Sequence, residues 1–148
     1  MQYKLSFATV NLLANNIIEI IINKNIEVSL EMLDESHALI EKLFPYESFG
    51  ILMNKIYPHS FSFEAKLCMG SYENLSAIAV VNYSKEELNI SNSIQALRKA
   101  DNWNLQNFSG LELGWQEAQK WLITQLPKEE LMIDLAHMTQ SNSDQLSA

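Results

Sequence analysis

The spacing of apolar and polar positions divides the chain into short strands and amphipathic helices. Apolar side chains alternate along residues 3 to 13, which predicts a half-buried strand. Asn15 and Asn16 supply a turn, and the β-branched run over residues 17 to 22 predicts a second, antiparallel strand. The chain is therefore expected to open with a β-hairpin.

Four segments with helical spacing follow, and each has a recognisable cap or breaker. Serine accepts hydrogen bonds from the free N–H groups of a first helical turn, whereas proline and glycine end helices. The helices are expected over about residues 30 to 44, 63 to 68, 85 to 100 and 113 to 126. Their boundaries are marked by Ser29, Pro45, Ser62, Gly70, the capping box Ser84-Lys85-Glu86-Glu87, and Pro127.

Three apolar runs separate these helices, at residues 49 to 54, 75 to 81 and 102 to 108. The resulting order β-β-α-β-α-β-α-β-α predicts an α/β fold with a mostly parallel sheet of four or five strands, helices packed on it, and the hairpin at one edge. Residues 1–127 are expected to form a single domain. Residues 128–148 are expected to be a C-terminal extension, with a short helix before a disordered polar tail.

Composition and charge narrow the function classes. A chain of 148 residues with 47% apolar residues suits one hydrophobic core. The net charge of -8 argues against nucleic acid and anionic membranes as partners, because both bind through basic groups. The single cysteine, Cys68, allows no intrachain disulfide, and no signal-peptide pattern or long apolar run is present. A cytoplasmic protein without membrane insertion is expected.

The candidate site is the segment that follows the apolar run Phe49–Asn54. Ligands of open α/β sheets bind beyond the carboxyl ends of the central strands. The polar residues that this segment offers to a partner or ligand are Asn54, Tyr57, His59, Ser60 and Ser62.

Catalytic chemistry at this segment would need Ser60 or Ser62 as a nucleophile and His59 as its base. Residues so close in sequence rarely reach that geometry, and no oxyanion-hole glycines accompany them. A helix-capping Ser62 and a loop His59 are therefore favoured. No phosphate-binding loop or metal-ligand spacing is present, and His37 and His137 lie far away in sequence. Neither catalysis nor a metal ion or cofactor is expected.

Several stretches together resemble the SpoIIAA-like or STAS-like domains of small bacterial proteins. They are the hairpin, Ile26-Glu27-Val28-Ser29-Leu30-Glu31 before the first helix, Phe49–Asn54, Leu75-Ser76-Ala77-Ile78-Ala79-Val80-Val81, and Glu117-Ala118-Gln119-Lys120-Trp121-Leu122. The last is similar to an Ala-x-x-Trp-Leu signature, and the resemblance covers about residues 3 to 125. It implies strands packed against helices and a non-enzymatic binding or regulatory module that docks on a protein partner.

The resemblance also implies where a regulatory serine would lie. In these domains an Asp ends the central strand, and an Asp-Ser pair followed by glycine opens the next helix. Here Asn54 ends the strand, and Ser62-Phe63-Glu64-Ala65 occupies the place of that motif. Ser62 is thus the candidate phosphorylation site, but the Asp-Ser pair and the glycine are missing. Docking is favoured over a phosphorylation switch.

Two further hypotheses stay open. Apolar side chains near the Tyr57–Phe63 loop, including Met53 and Phe61, could line a pocket for a small molecule or lipid-type ligand. A homodimer is also possible if Trp103 or Trp115 is exposed and meets a two-fold mate.

Overall fold

Residues 1 to 127, which the computed structural model describes, fold around a six-stranded mixed sheet with helices on both faces. A short 3₁₀ turn, Lys99–Asp101, follows the third helix. The elements in chain order are β1 (Gln2–Lys4), β2 (Ala8–Leu12), β3 (Ile17–Ile22), β4 (Glu27–Val28), α1 (Leu30–Leu43), β5 (Phe49–Asn54), β6 (Ser60–Phe61), α2 (Phe63–Cys68), β7 (Leu75–Asn82), α3 (Lys85–Leu97), β8 (Leu105–Ser109) and α4 (Gly114–Gln125).

The sheet order is β1-β2-β3-β5-β7-β8. The pairs β1–β2 and β2–β3 are antiparallel, and the pairs from β3 to β8 are parallel. The predicted α/β class, with a mixed sheet and its antiparallel part at one edge, is confirmed. The expected four or five strands were too few. The extension predicted for residues 128–148 lies outside the described residues.

The extra edge strand arises because the first predicted strand is interrupted. The main-chain N–H of Leu5 donates to the carbonyl of Ala8 at 2.8 Å, which turns the chain and buries Phe7. The carboxylate of Glu35 on α1 fixes this turn by accepting from both the main-chain N–H and the hydroxyl of Ser6, at 2.7 and 2.5 Å. The expected hairpin is therefore a three-stranded antiparallel unit.

Two very short strands add a second pairing that periodicity did not reveal. β4 and β6 pair in parallel, with Glu27 opposite Ser60 and Val28 opposite Phe61. Residues that were read as a loop after β5 are thereby attached to the chain that enters α1. This pairing holds the 55–62 segment against the helical layer.

The two faces of the sheet are covered unequally. On one face, helices α1, α2 and α3 contribute to a large buried cluster that includes Ile18, Ile40 and Ile51. The other face is covered by α4 alone. Leu122 of α4 is fully buried and packs beside Gly50, where a Cβ atom would lie 3.2 Å from its Cδ2. Burying a leucine side chain contributes about 1.5–3 kcal/mol, so this contact anchors the single helix.

A buried arginine joins α2 to α3. Arg98, only 6% exposed, donates to the carbonyl oxygens of Lys66 and Met69 at 3.1 and 2.6 Å, where α2 ends. Its guanidinium also pairs with Asp101 and lies 4.4 Å from the centre of the Trp103 ring. Carbonyl groups that a helix end leaves unpaired are therefore satisfied by a side chain.

Candidate functional site

Strand β5 sends alternate side chains to opposite layers, and this alternation continues one residue beyond the strand. The main-chain N–H of Lys55 donates to the carbonyl of Val81 at 3.1 Å, which keeps Lys55 in the register of the sheet. Ile51, Met53 and Lys55 consequently line the space under α1–α3. Asn54 faces the α4 side, where it joins a different set of contacts.

Lys55 is a buried cation, with only 5% of its surface exposed. Within the described residues, its Nζ has one hydrogen-bond partner, the main-chain oxygen of Glu87 on α3, at 3.5 Å. Burial lowers the pKa of the Lys55 ammonium, and the nearby Glu87 carboxylate opposes that shift in part. A long contact of this kind leaves the donors of Lys55 largely free.

His59 lines the same cavity as Lys55. Its Nδ1 is 3.0 Å from the carbonyl oxygen of Tyr57, so this nitrogen carries the proton and donates it. The other ring nitrogen, Nε2, is then a hydrogen-bond acceptor, and it is buried without a partner among the described residues. Burial lowers the pKa of His59; the bond to Tyr57 and the charge of Glu87 oppose the shift, whereas the charge of Lys55 adds to it.

Both residues line a cavity between the sheet and helices α1–α3. The cavity measures about 90 Å³, several times the ~10–15 Å³ that one water needs. It is smaller than the ~300 Å³ at which pockets for drug-sized ligands begin. Its wall is almost entirely apolar, and includes Leu33, Ile40, Ile51, Phe61, Val80 and Ile94.

The three hydroxyl side chains of the cavity wall, Ser36, Tyr72 and Ser91, are already paired. The Ser36 hydroxyl donates to the carbonyl of Leu33 at 2.8 Å and lies 3.1 Å from the Tyr72 hydroxyl. Ser91 donates to Asn107 at 2.9 Å. Lys55 and His59 are thus the groups with hydrogen-bonding capacity to spare, and together we call them the polar end of the cavity.

The opposite face of the sheet carries a buried carboxylate that sequence reasoning missed. Glu19 of β3 is 7% exposed. Its two oxygens accept hydrogen bonds from Asn11, Asn54 and Trp115, at 2.8, 3.0 and 2.7 Å. The signal in the sequence is one acid within the run Ile17–Ile22, placed on the same strand face as Ile17.

Asn54 extends this network to a tyrosine. Its side-chain oxygen accepts from the Tyr83 hydroxyl at 2.7 Å. Burial raises the pKa of Tyr83, the bond to Asn54 opposes the shift, and the charges of Glu19 and Glu87 reinforce it. Every polar atom that Asn54 offers is occupied inside the protein, on the face away from His59. Asn54 and His59 were predicted to share one site, and the structure separates them.

The other predicted site residues are also distributed. Tyr57 is 45% exposed and reaches solvent. Ser60 is exposed in β6. Ser62 caps α2, with its oxygen accepting from the main-chain N–H of Ala65 at 3.1 Å, as predicted. Neither ring nitrogen of His59 is hydrogen-bonded to a serine in the part of the chain that the structure describes.

The other residues considered from sequence have local roles. His37 packs on Tyr72 with ring centres 4.3 Å apart, and its buried Nε2 has no partner within residues 1–127. Cys68 is exposed. Trp103 and Trp115 are half-buried. The Arg98 guanidinium lies over the Trp103 ring, and Trp115 donates a hydrogen bond to Glu19. His137 lies outside the described residues.

Two searches of the described residues found nothing: no group of three or more histidine, cysteine or acidic side chains could hold a metal ion, and no helix is long and apolar enough to cross a membrane. Comparisons with protein-family models, curated proteins and solved structures gave no match. The resemblance to STAS-like domains therefore stays an interpretation of the sequence.

Proposed function

We propose that this protein binds a small, mainly apolar molecule that carries one oxygen-bearing group. The observation that carries the proposal is the combination of a buried lysine and an unpartnered histidine nitrogen at one end of an otherwise apolar cavity. Isolated buried polar groups cost about 1–3 kcal/mol each. A ligand that pairs with them would recover that energy, which is how binding pockets fix orientation.

The chemistry of the polar end defines the ligand. Lys55 Nζ is a donor and His59 Nε2 is an acceptor. The oxygen of a carbonyl, carboxyl or hydroxyl group can accept from Lys55, and a hydroxyl or protonated carboxyl can also donate to His59, whereas a purely hydrocarbon ligand would leave both groups unpaired. The cavity of about 90 Å³ accepts a short aliphatic chain or a single ring.

Isoleucine methyl NMR tests this proposal with a control inside the same molecule. Ile20, Ile51 and Ile94 line the cavity, whereas Ile17 and Ile123 belong to the α4 side. Titration with hexan-1-ol and with hexanoate should shift the first group and leave the second unchanged. Lys55→Met should weaken binding of hexanoate at least tenfold, and Lys42→Met, on the exposed side of α1, should not. Uniform or absent shifts for both probes would refute the proposal.

Docking to a protein partner is a second candidate function, supported by an exposed apolar surface next to the same segment. Four exposed apolar side chains lie between residues 56 and 67: Ile56 and Tyr57 before β6, and Phe63 and Leu67 one helical turn apart on α2, with exposed fractions of 46, 45, 62 and 45%. Exposed apolar patches commonly mark interaction sites. This arrangement agrees with the regulatory module that the STAS-like resemblance implies.

The docking hypothesis is tested by affinity capture from the native host. A bait carrying Tyr57→Ala and Phe63→Ala should lose a protein that the unaltered bait enriches. A control bait carrying Leu111→Ala and Leu113→Ala removes two side chains before α4 that are more exposed, at 77 and 69%, and should retain that protein. Retention of every captured protein by the first variant would exclude this surface as the docking site. A homodimer remains a prediction, which sedimentation of the full chain would decide.

A further inference from the structure

Lys55 combines three properties that make a lysine side chain reactive. It is buried, it lies in an apolar cavity, and its Nζ has one long hydrogen bond to hold it. An amine is nucleophilic only when it is unprotonated, and burial favours the unprotonated form. The pKa of Lys55 is lowered by its burial. The other lysines of the described chain are more exposed, which leaves Lys55 as the distinctive amine.

His59 supplies a proton acceptor in the cavity that this amine lines. The hydrogen bond from its Nδ1 to Tyr57 fixes the neutral tautomer, so the free Nε2 can take a proton and later return it. The charge of Lys55 lowers the pKa of His59, and both residues line the same cavity. Glu87 on α3 is the acid whose charge acts on both.

We infer that Lys55 forms a reversible imine with an apolar aldehyde bound in the cavity, with His59 as the proton-transfer group. This inference rests on the proposed function, because the aldehyde must occupy the cavity, and it names the ligand class. Lysine amines desolvated in apolar pockets are the usual partners of carbonyl groups in such adducts.

The reaction is balanced without any further reagent. The Lys55 nitrogen lone pair attacks the aldehyde carbon, and the carbonyl π electrons move to its oxygen. The nitrogen loses a proton to His59 Nε2, and His59 passes that proton to the oxygen, which gives a neutral carbinolamine. His59 Nε2 then takes the second N–H proton and delivers it to the hydroxyl, which leaves as water while a carbon–nitrogen double bond replaces the carbon–oxygen single bond. Hydrolysis reverses the sequence, and no atom changes its oxidation state overall.

Reductive trapping of the full-length protein tests the inference. Hexanal is added with cyanoborohydride at neutral pH, and peptide mass spectrometry locates the hexyl group. Lys55 should be modified at least tenfold faster than exposed lysines such as Lys24 and Lys42, and Lys55→Met should abolish the fast modification. His59→Gln should slow it by about 10²-fold, the lower limit for a positioned proton-transfer group. It should also remove the inflection of the rate below pH 6.5.

A parallel measurement separates failure of this inference from failure of the proposed function. Hexan-1-ol fits the same cavity but cannot form an imine. If hexan-1-ol shifts the cavity isoleucines while hexanal labels all lysines at similar rates, the imine is overturned and ligand binding stands. If neither compound shifts them, both proposals fail. Selective labelling of Lys55 that is unaffected by His59→Gln would overturn the role of His59.

Discussion

The indole nitrogen of Trp115 donates a 2.7 Å hydrogen bond to the carboxylate of Glu19, a residue 96 positions earlier in the chain. The bond joins the first turn of α4 to the centre of the sheet at a place where Glu19 is 7% exposed. Hydrogen bonds to charged groups contribute about 1.5–3 kcal/mol, more than neutral ones. α4 is therefore attached by a directed polar contact as well as by its apolar face.

Replacement of Trp115 by phenylalanine tests this contact. Trp115→Phe keeps an aromatic ring but removes the donor, and should lower the free energy of unfolding by about 2 kcal/mol. Urea denaturation followed by circular dichroism measures the change. Trp121→Phe on the same helix is the control, because the Trp121 ring packs on the Phe108 ring with centres 5.9 Å apart. Trp121→Phe should lower the free energy of unfolding by less than Trp115→Phe does. Equal losses in the two variants would contradict the assignment.

Gly114 precedes Trp115 at the start of α4, at a position that has no room for a side chain. A Cβ atom at Gly114 would lie 2.0 Å from the carbonyl oxygen of Ser109, which belongs to β8. Gly114→Ala must displace the start of α4. It should lower the free energy of unfolding by about 1–3 kcal/mol, the usual range for overpacked sites. Thermal unfolding should show a clear fall in Tm. Gln116→Ala, at an exposed position two residues later, should leave Tm nearly unchanged.

Stability should depend on pH through His59. Burial lowers its pKa from the ordinary value of 6.5, so between the lowered value and 6.5 the unfolded chain binds a proton that the folded protein does not. Stability therefore rises with pH across that window, is fully present above pH 6.5, and is lost on acidification.

His59→Gln should reduce the rise of the free energy of unfolding with pH across that window. Urea unfolding at closely spaced pH values measures this dependence. Four other groups of the described chain with shifted pKa values remain in both proteins. The pKa values of Tyr72 and Tyr83 are raised from 10.0, so these tyrosines affect stability only in alkaline solution. The pKa of Lys55 is lowered from its ordinary value of 10.5, so Lys55 affects stability over a pH range that reaches up to 10.5. Hydrogen bonds from Ser6 lower the pKa of Glu35 from 4.5, so its contribution is lost only on stronger acidification. An unchanged slope in the His59→Gln protein would show that His59 titrates normally.

The capping role of Ser62 gives a fourth prediction. Ser62→Ala removes the oxygen that accepts from the Ala65 N–H, and should cost about 1 kcal/mol. Ser62→Asp, which restores an acceptor at the cap, should recover most of that loss. Ser60→Ala changes an exposed serine of β6 and should alter stability by less than about 0.5 kcal/mol. Chemical denaturation of the three variants measures these differences, and equal stability of Ser60→Ala and Ser62→Ala would contradict the cap.

The local signals in the sequence identified most of the fold. Serine caps at Ser29, Ser62 and Ser84 lie where the helices begin, and the β-branched run over residues 17 to 22 is a strand. These features depend on neighbours within one turn or one strand. The break at Ser6 could not be read in the same way, because its partner Glu35 is 29 residues distant.

The candidate site was predictable in position but not in composition. His59 and the apolar side chains around it were singled out because they follow a central strand. The strand was expected to end at Asn54, whereas the hydrogen bond of Lys55 to Val81 extends the alternation by one residue and buries Lys55. Glu19 was not singled out, because its partner Trp115 is brought near only by α4. Long-range contacts of this kind leave no periodic trace.

Asn54 and Lys55 are consecutive residues whose side chains belong to different layers of the molecule. One is tied to the carboxylate that anchors α4, and the other stands at the polar end of the cavity. Their α-carbons are about 3.8 Å apart, joined by one planar peptide group. Because only one planar peptide group separates the two α-carbons, we expect a displacement of the main chain at Lys55 to disturb the hydrogen bond between Asn54 and Glu19.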